Sequence, residues 1–264
     1  MSLPAVLITG GATRIGAAIA RGFAEQGWHV VIHYNSSAQP AEELASALPS
    51  AETIQSNLSD DDSAATMIAA LADRLPDWRC LINSASVFEY DDATHLDAAT
   101  YQQAMQINAF APARTAQTYF SKATSAGLRC VIQITDMKLA NPNPDFFSYT
   151  MSKHALASTI PMLTMGAAGP NDRVYGIAPG AILASHDQSE DETDVSHKLN
   201  LLARKTGAEE IVEAALFLAS GVLKSGQTLF IDSGQHLLSQ PRDVIYLARA
   251  LAAEAEAEAE AEQP

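Results

Sequence analysis

Thiols are scarce in this chain, whose 264 residues include only two cysteines, Cys80 and Cys130. Two cysteines in separate apolar runs are too few for a disulfide framework or a thiolate metal site, and they favour a reducing compartment. The first residues enter an apolar strand pattern directly, without the basic segment of a secretory leader. No apolar run has the roughly 20 residues that a membrane-spanning helix needs. The sequence therefore predicts a cytoplasmic protein with no metal site and no membrane partner.

Positive charge is also scarce. The chain has 16 lysines and arginines against 31 aspartates and glutamates, which gives a formal net charge of −15 at pH 7. Five of the glutamates alternate with alanines from Glu254 to Glu262, and the rest of the chain carries −10. An acidic body argues against nucleic acid or an anionic membrane as a partner. Repulsion between glutamates four residues apart predicts a frayed or disordered tail with no catalytic role.

Apolar residues make up 47% of the chain, which is enough for a sizeable core and excludes a disordered class. Short apolar runs alternate with stretches of helical pattern. The runs predict strands at Ala5–Thr9, His29–Tyr34, Thr53–Asn57, Cys80–Asn83, Cys130–Thr135, Asp172–Ala178 and Thr228–Asp232. This alternation predicts one α/β domain, a Rossmann-like doubly wound parallel sheet with helices on both faces. We assign residues 1–240 to that domain and residues 241–264 to a C-terminal helix and acidic tail.

A glycine-rich turn follows the first predicted strand. Gly10, Gly11 and Gly16 lie between that strand and an alanine-rich helical pattern that continues to Gln26. Glycines at such a point let the backbone approach a pyrophosphate, which then lies at the helix N-terminus. A tight strand–helix turn without a ligand is the alternative. Arg14, within the turn, could bind an additional phosphate through two parallel hydrogen bonds.

An acidic residue is missing after the second strand, where dinucleotide-binding folds place one against the ribose 2′-hydroxyl. Tyr34, Asn35, Ser36 and Ser37 stand at this point instead. Two hydroxyl groups together with Arg14 suit a 2′-phosphate, so the predicted cofactor is NADP(H).

The candidate catalytic stretch is Tyr149-Thr150-Met151-Ser152-Lys153. Tyr149 and Lys153 share a helix face, so the ammonium is expected to lower the pKa of the phenol and make it a proton donor near neutral pH. Asp136 follows an apolar run, where its carboxyl would project into the ligand cleft of a doubly wound sheet. A solvated helix face is the alternative for the Tyr149/Lys153 pair. For Asp136 the alternative is a salt bridge or a strand-end cap.

These motifs together resemble the short-chain dehydrogenase/reductase family over most of the chain. They are, in order, TGGATRIG at 9–16, NSAS at 83–86, Asn108, Asp136, the Tyr149/Lys153 pair, APG at 178–180 and DSG at 232–234. Four features resemble the pteridine reductase and dihydromonapterin reductase branch of this family. They are Arg14, HYNSS at 33–37, Ser86 with Phe88, and Asp136 in place of the usual Ser. The resemblance implies an NADPH-dependent homotetramer that reduces a pterin ring.

The resemblance also implies a set of site residues. The catalytic residues would be Asp136, Tyr149, Lys153 and Asn108, with Lys153 on the nicotinamide ribose and Asn108 ordering a water beside Lys153. The cofactor-binding residues would be Gly10, Thr13, Arg14, Ile15, Gly16, Tyr34, Asn35, Ser36, Ser37, Asn57, Leu58, Asn83, Ser84, Ala85, Tyr149, Lys153, Pro179, Gly180 and Ile182. The substrate-binding residues would be Ser86, Phe88, Asp136 and Tyr149. Two interpretations stay open: Asn57 meets the adenine or satisfies its strand end, and Phe88 stacks on the substrate or belongs to the core.

Other functions are also open. One is the NADPH-dependent reduction of a small ketone or quinone, and another is a non-catalytic NADP(H)-sensing protein. The Tyr149/Lys153 pair argues against a sensor, because a sensor has no need of a proton donor. Asp136 argues against a ketone, because an ionised carboxylate opposes the negative charge that develops on the ketone oxygen. A pterin ring instead has nitrogens that must gain a proton.

The segment Ser185–Ser196 is acidic and polar and has no periodicity, which predicts a mobile flap over the substrate. Its acidic side chains are Asp187, Glu190, Asp191, Glu192 and Asp194. They would repel the anionic glutamate tail of a folate by about 1 kcal/mol per close pair. A neutral dihydropterin is therefore expected to be a better substrate than dihydrofolate.

Overall fold

The computed structural model describes residues 2–184 and 188–261. Within them, parallel strands form one seven-stranded sheet in the order β3-β2-β1-β4-β5-β6-β7. The strands are β1 Ala5–Thr9, β2 His29–Tyr34, β3 Ala51–Gln55, β4 Trp78–Asn83, β5 Arg129–Ile134, β6 Asp172–Pro179 and β7 Thr228–Ile231. The central strands have apolar sequences because both of their faces are buried. The predicted fold class is confirmed.

Helices cover both faces of the sheet. In the described residues they are α1 Arg14–Glu25, α2 Ala38–Ala47, α3 Ser63–Ala72, α4 Ala98–Met105, α5 Ala111–Lys122, α6 Phe147–Gly166, α7 Glu190–Ser196, α8 Ala208–Ala219 and α9 Val244–Ala261. Alternate residues of β1 contribute to two separate hydrophobic cores. Val6 and Ile8 pack with α1, α2 and α8, and Leu7 packs with α3, α5 and α6. Among these helices, none combines the length and apolarity that a bilayer crossing requires.

The order of the strands reverses between β1 and β4. Strands β2 and β3 extend the sheet to one side of β1, whereas β4 to β7 extend it to the other side. Thr9 pairs with Asn83, so the loops that follow β1 and β4 leave the sheet side by side. Ligands of doubly wound sheets bind in the crevice at such a switch point.

The segment expected to be an irregular flap contains a helix. Ser185, His186 and Asp187 lie outside the described residues, but α7 occupies Glu190–Ser196. The Ser189 hydroxyl accepts a hydrogen bond from the Glu192 N–H, and the Glu192 carboxylate accepts one from the Ser189 N–H. This capping box satisfies the N-terminus of the helix. The prediction of an irregular segment is therefore wrong for residues 190–196, and the S-x-x-E pattern was the missed signal.

The C-terminal helix is longer than the sequence suggested. α9 continues to Ala261, whereas the alternating glutamates predicted a frayed tail from Glu254 onward. That prediction is wrong up to Ala261, and Glu262 lies outside the described residues. Alanine and glutamate are both strong helix formers, and a like-charged pair opposes the helix by only a few tenths of a kcal/mol.

Candidate active site

A cavity of about 540 Å³ opens at the carboxyl edge of the sheet. Its walls come from the glycine-rich turn, the loops after β4, β5 and β6, helix α6 and the segment that leads into α9. Many of the predicted site residues lie on these walls: Gly10, Thr13, Arg14, Ile15, Gly16, Ser84, Ala85, Ser86, Phe88, Asp136, Tyr149, Lys153, Pro179, Gly180 and Ile182. The cavity thus joins the predicted phosphate-binding turn to the predicted proton-handling residues.

Close backbone contacts explain the glycines of the turn. Gly10 has a φ of +63°, and a Cβ added to it would lie 2.9 Å from the Cα of Ala85. A Cβ added to Gly16 would lie only 2.2 Å from the carbonyl oxygen of Gly10. The turn leads directly into α1, whose first N–H groups are donors at a helix N-terminus. An exposed backbone and a helix N-terminus on one cavity wall fit the pyrophosphate of a dinucleotide.

A buried histidine, whose role in the fold the sequence did not indicate, supports this turn. Nδ1 of His33 accepts a hydrogen bond from the Gly10 N–H at 3.1 Å, and Nε2 lies 3.1 Å from the carbonyl oxygen of Ser56. An amide N–H only donates, so Nδ1 must be unprotonated and Nε2 must carry the proton. Burial lowers the pKa of His33 to about 4, although the bond to Ser56 opposes the shift. His33 is therefore neutral at physiological pH.

Arg14 connects the turn to the loop after β6. Its guanidinium donates hydrogen bonds to the carbonyl oxygens of Leu183, at 3.3 Å, and Ala184, at 2.9 Å. Arg14 has a φ of +53°, in the left-handed region that favours glycine. The sequence predicted a phosphate partner for this side chain. In the structure the guanidinium lines the cavity and contacts loop carbonyls, so the phosphate contact stays a proposal.

Seven predicted cofactor residues do not line the cavity: Tyr34, Asn35, Ser36, Ser37, Asn57, Leu58 and Asn83. The first four extend from the carboxyl end of β2, which pairs with β1. Leu58 is buried. Asn57 closes its own turn, since it accepts from the Ser59 N–H at 3.1 Å and donates to Asp60 at 3.2 Å. These bonds support the strand-end interpretation of Asn57.

Asn83 is buried between the sheet and α5 and does not face the cavity. Its amide donates to Gln133 at 3.0 Å, and its oxygen accepts from the Thr115 hydroxyl at 2.9 Å. These bonds fix the end of β4. A direct cofactor contact of the Asn83 side chain is therefore not supported, because its hydrogen bonds lie inside the protein.

The carboxyl of Asp136 and the phenol of Tyr149 form one hydrogen bond at the centre of the site. The Tyr149 hydroxyl donates to Oδ2 of Asp136 at 2.8 Å, and Oδ1 accepts from the backbone N–H of Lys138 at 2.9 Å. Burial raises the pKa of Asp136, while the positive charge of Lys138 acts in the opposite direction. A carboxyl with a raised pKa holds a proton more readily near neutral pH.

Lys153 lies one helical turn after Tyr149, but its effect on the phenol differs from the prediction. Its ammonium donates to the carbonyl oxygen of Ile134 at 2.9 Å and lies 5.5 Å from the centre of the Tyr149 ring. Burial, followed by the charge of Asp136, raises the pKa of Tyr149 well above its usual value. The predicted lowering of the phenol pKa is therefore wrong for this arrangement. Burial also lowers the pKa of Lys153 to about 8, so the ammonium form still predominates at pH 7.

Asn108 lies in a π-helical turn, Gln106–Phe110, that joins α4 to α5. Its amide oxygen accepts from the Val87 N–H at 2.8 Å, and its nitrogen donates to the Val87 carbonyl at 3.0 Å and to the Ser152 hydroxyl at 3.0 Å. Asn108 thereby links the loop after β4 to α6. It contacts the residue before Lys153 and does not line the cavity, so its predicted role beside Lys153 stays a proposal.

An aromatic wall borders Tyr149. The Phe88 ring stacks on the Phe146 ring with a centroid distance of 4.0 Å, and it meets the Tyr149 ring edge-on at 4.7 Å. Phe88 is half-buried in this cluster, as the core interpretation expects, and it also lines the cavity, so its stacking on a substrate stays a proposal. Ser86 lies beside it and donates to Asn108 at 3.1 Å.

Several cavity residues were not predicted from the sequence. Lys138, Asp243, Val244 and Ile245 line the cavity, as do Gln188, His197 and Gln235. The segment before α9 reaches the site through long-range packing, which no local motif encodes. Lys138 lies only two positions after Asp136, and that proximity was an available signal.

A doubly wound parallel sheet, a glycine-rich turn at its switch point and a Tyr/Lys pair on the neighbouring helix define a Rossmann-type, nicotinamide-dependent oxidoreductase. A family model described as enoyl-(acyl carrier protein) reductase matches residues 10–236. The chain belongs to the short-chain dehydrogenase/reductase family.

Several known proteins are similar to this chain over about nine-tenths of its length. The crystal structure of FolM alternative dihydrofolate reductase 1 from Brucella suis, in complex with NADP, is 31% identical with a TM-score of 0.84, covering 90% of this chain and 96% of that chain. A putative ketoacyl reductase of the granaticin polyketide synthase from Streptomyces violaceoruber is 26% identical, covering 89% and 97%. Pteridine reductase 1 from Leishmania tarentolae is 27% identical, covering 89% and 96%.

The resemblance to pteridine and dihydromonapterin reductases is confirmed, since both kinds of enzyme are among the relatives. The cofactor class is confirmed at the level of the family and of its relatives solved with NADP.

Proposed function

We propose that the chain is an NADPH-dependent reductase of a pterin ring, of the dihydromonapterin or dihydropteridine type. The observation that carries the proposal is the hydrogen bond between Asp136 and Tyr149 on the cavity wall. A carboxyl with a raised pKa suits a ring nitrogen that must gain a proton as the C=N bond is reduced. Because the raised pKa of Asp136 favours the protonated carboxyl, the expected repulsion between an ionised carboxylate and a ketone oxygen no longer applies, and the substrate screen below decides between the two reactions.

The residues present fit the proposed cofactor. The backbone of Gly10 to Gly16 and the N-terminus of α1 would hold the pyrophosphate, and Arg14 with Ser36 and Ser37 would hold the 2′-phosphate. The bound cofactor supplies the hydride. Lys153 would bind the nicotinamide ribose, and Phe88 with the neighbouring aromatic rings would orient a flat substrate.

Asp136, with the help of Tyr149, would supply the proton that the ring nitrogen gains. Asp136 would give its proton to the ring nitrogen directly or through water, the Tyr149 phenol, which donates to Asp136, would stabilise the carboxylate that is left, and a proton from solvent would then restore the acid. Asn108 fixes the loop that carries Phe88 and contacts the helix that carries Lys153. From this position Asn108 would order a water molecule beside Lys153.

One other activity has specific support. The ketoacyl reductase among the relatives favours the reduction of a small ketone, and the Brucella relative is named an alternative dihydrofolate reductase. NADPH oxidation should therefore be measured with dihydrobiopterin, dihydromonapterin, dihydrofolate and a panel of ketones and quinones. We expect turnover of a dihydropterin. Turnover of ketones alone would establish the carbonyl reductase, and binding of NADPH without any turnover would favour a sensor.

We also propose a homotetramer in the cytoplasm. Met151, Met162 and Met165 are exposed on α6, and an apolar helix surface of this kind suits a subunit contact. Cys80 and Cys130 are buried free thiols, as a reducing compartment allows. Light scattering after size-exclusion chromatography would give the oligomeric state.

A further inference from the structure

Two oppositely charged side chains, neither of which is the proposed proton donor, lie on the wall of the same cavity. Nζ of Lys138 is 2.8 Å from Oδ2 of Asp243, and the two residues are 5% and 7% exposed. Lys138 belongs to the single helical turn Met137–Leu139, directly after Asp136, whereas Asp243 directly precedes α9. The pair therefore joins the loop of the proposed acid to the C-terminal segment.

Stability alone does not explain this pair. Desolvation of two buried charges offsets most of their attraction, and an apolar pair often stabilises a fold equally well. Val244 and Ile245, next to Asp243 on the cavity wall, are indeed apolar. A second ion pair, between Arg242 and Asp145 at 2.8 Å, already holds the segment before α9 in place. The charges of Lys138 and Asp243 therefore indicate a task inside the cavity.

Both groups retain hydrogen-bonding capacity. The Lys138 ammonium has three N–H donors. Within the described residues it contacts Asp243 and the carbonyl oxygen of Asp145, the latter at 3.3 Å, and it lies 5.0 Å from the centre of the Phe146 ring. The Asp243 carboxylate has about four lone-pair positions, and within the same residues it accepts from Lys138 and from the Ile245 N–H at 3.1 Å. The cavity wall thus offers an N–H donor of Lys138 next to unused acceptor positions of Asp243.

We propose that Lys138 and Asp243 recognise the amide-like edge of the heterocyclic substrate. Lys138 donates to the ring carbonyl, and Asp243 accepts from the neighbouring ring N–H or amino group. The inference rests on the proposed function and specifies how this site selects its substrate. A simple ketone or quinone offers a carbonyl to Lys138 but no donor to Asp243. Recognition by the pair leaves Asp136 to handle the proton.

Asp243→Asn tests this assignment, because it keeps the size of the side chain and removes the charged acceptor. We expect the KM for dihydrobiopterin to rise by about 10- to 100-fold, the range for a lost hydrogen bond to a charged group. The KM for NADPH should change less than about twofold, because Asp243 is assigned no contact with the cofactor. Calorimetric binding of oxidised biopterin to the NADP⁺-loaded protein should weaken by the same factor as the KM rises.

Arg242→Gln is the matched control. Arg242 fastens the same segment through Asp145, but its side chain is half-exposed and does not line the cavity. We expect its pterin KM to stay within about threefold of wild type, a change of under ~0.7 kcal/mol. If Asp243→Asn unfolds, the double variant Lys138→Met with Asp243→Leu replaces the ion pair by an apolar pair. That variant should fold, bind NADPH and lose pterin affinity.

The possible outcomes separate this inference from the proposed function. If wild type reduces a dihydropterin and Asp243→Asn leaves its KM unchanged, the recognition pair is refuted and the pterin reductase stands. An equal rise in KM for Arg242→Gln would show that the segment is only being held in place. If wild type neither reduces nor binds a pterin, the proposed function fails and the recognition pair fails with it.

Discussion

Asp136 and Tyr149 share one hydrogen bond, and burial shifts the pKa values of both groups in the same direction. It raises the pKa of the carboxyl and that of the phenol, so both groups hold their protons more tightly than in water. A carboxyl is intrinsically the stronger acid by several pKa units, so Asp136 is the better donor of the two. The sequence placed both residues in one site. The sequence predicted a lowered pKa for Tyr149, which is wrong, and gave no direction for Asp136, because both shifts depend on packing around the site.

Arg14 allows a test of cofactor choice at a single side chain. We predict that Arg14→Ala lowers kcat/KM for NADPH by about 10- to 100-fold, since a charge-assisted contact to the 2′-phosphate is lost. NADH has no such phosphate, so its kcat/KM should barely change. Steady-state kinetics with both cofactors measure the effect, and Arg21→Ala, an exposed arginine on the same helix, is the control. Equal losses with both cofactors would show instead that Arg14 acts through its bonds to Leu183 and Ala184.

His33 predicts a pH dependence of stability. Its folded-state pKa is about 4, below the ordinary value of 6.5, because the fold holds the neutral ring. This contribution is fully present above pH 6.5 and is lost as the pH falls toward 4. The wild-type free energy of unfolding should therefore fall by about 2 kcal/mol more between pH 7.5 and pH 5 than that of His33→Asn. Urea titrations at the two pH values measure the difference, and parallel pH profiles would contradict the assignment.

At the scale of elements, α7 changes the electrostatics expected of the acidic segment that was predicted to be a flap. Glu192 pairs with Arg249 of α9 at 2.7 Å, and Asp194 pairs with Lys198 at 2.7 Å and with Lys205 at 3.0 Å. All five acids of this segment were expected to repel a folate. The partners of Glu192 and Asp194 offset their charges, whereas Glu190 and Asp191 are exposed in the first turn of α7, and Asp187 lies outside the described residues.

We therefore revise the expected salt effect. The preference for a neutral dihydropterin over dihydrofolate, as a ratio of kcat/KM values, should change less than about twofold between ~0.05 and ~0.5 M salt, because two of the acids are paired and solvent screens the exposed Glu190 and Asp191. Kinetics with both substrates at the two ionic strengths measure this ratio. A preference that shrinks severalfold at high salt would instead support repulsion by the acids of α7.

At the scale of the whole molecule, the sheet was the most predictable feature. The first two strands match their predicted bounds, because a buried parallel strand has a mainly apolar sequence between polar turns. The glycine-rich turn and the Tyr149/Lys153 pair were placed correctly because their residues are local in sequence. The division at residue 240 stays a proposal, and Asp243 and Ile245 beyond it line the cavity.

The features that escaped prediction depend on distant contacts. His33 acts through Gly10 and Ser56, and the Lys138–Asp243 pair joins segments far apart in sequence. Neither arrangement leaves a periodic pattern or a motif with fixed spacing. The helix at Glu190–Ser196 differs, because its capping box was visible in the sequence but was outweighed by its polar composition.

The central claim is that the Asp136 carboxyl handles the proton in the reduction of a pterin ring. The most direct test is kcat/KM for a dihydropterin with wild type, Asp136→Asn and Asp136→Ser. Asparagine keeps the acceptor for the Lys138 N–H and loses the acid, so we expect a loss of about 100-fold or more, the usual range for a general acid. The KM for NADPH should stay within about twofold of wild type, since Asp136 is assigned no contact with the cofactor. Pterin turnover by Asp136→Asn within about twofold of wild type, less than ~0.5 kcal/mol of barrier, would contradict the claim.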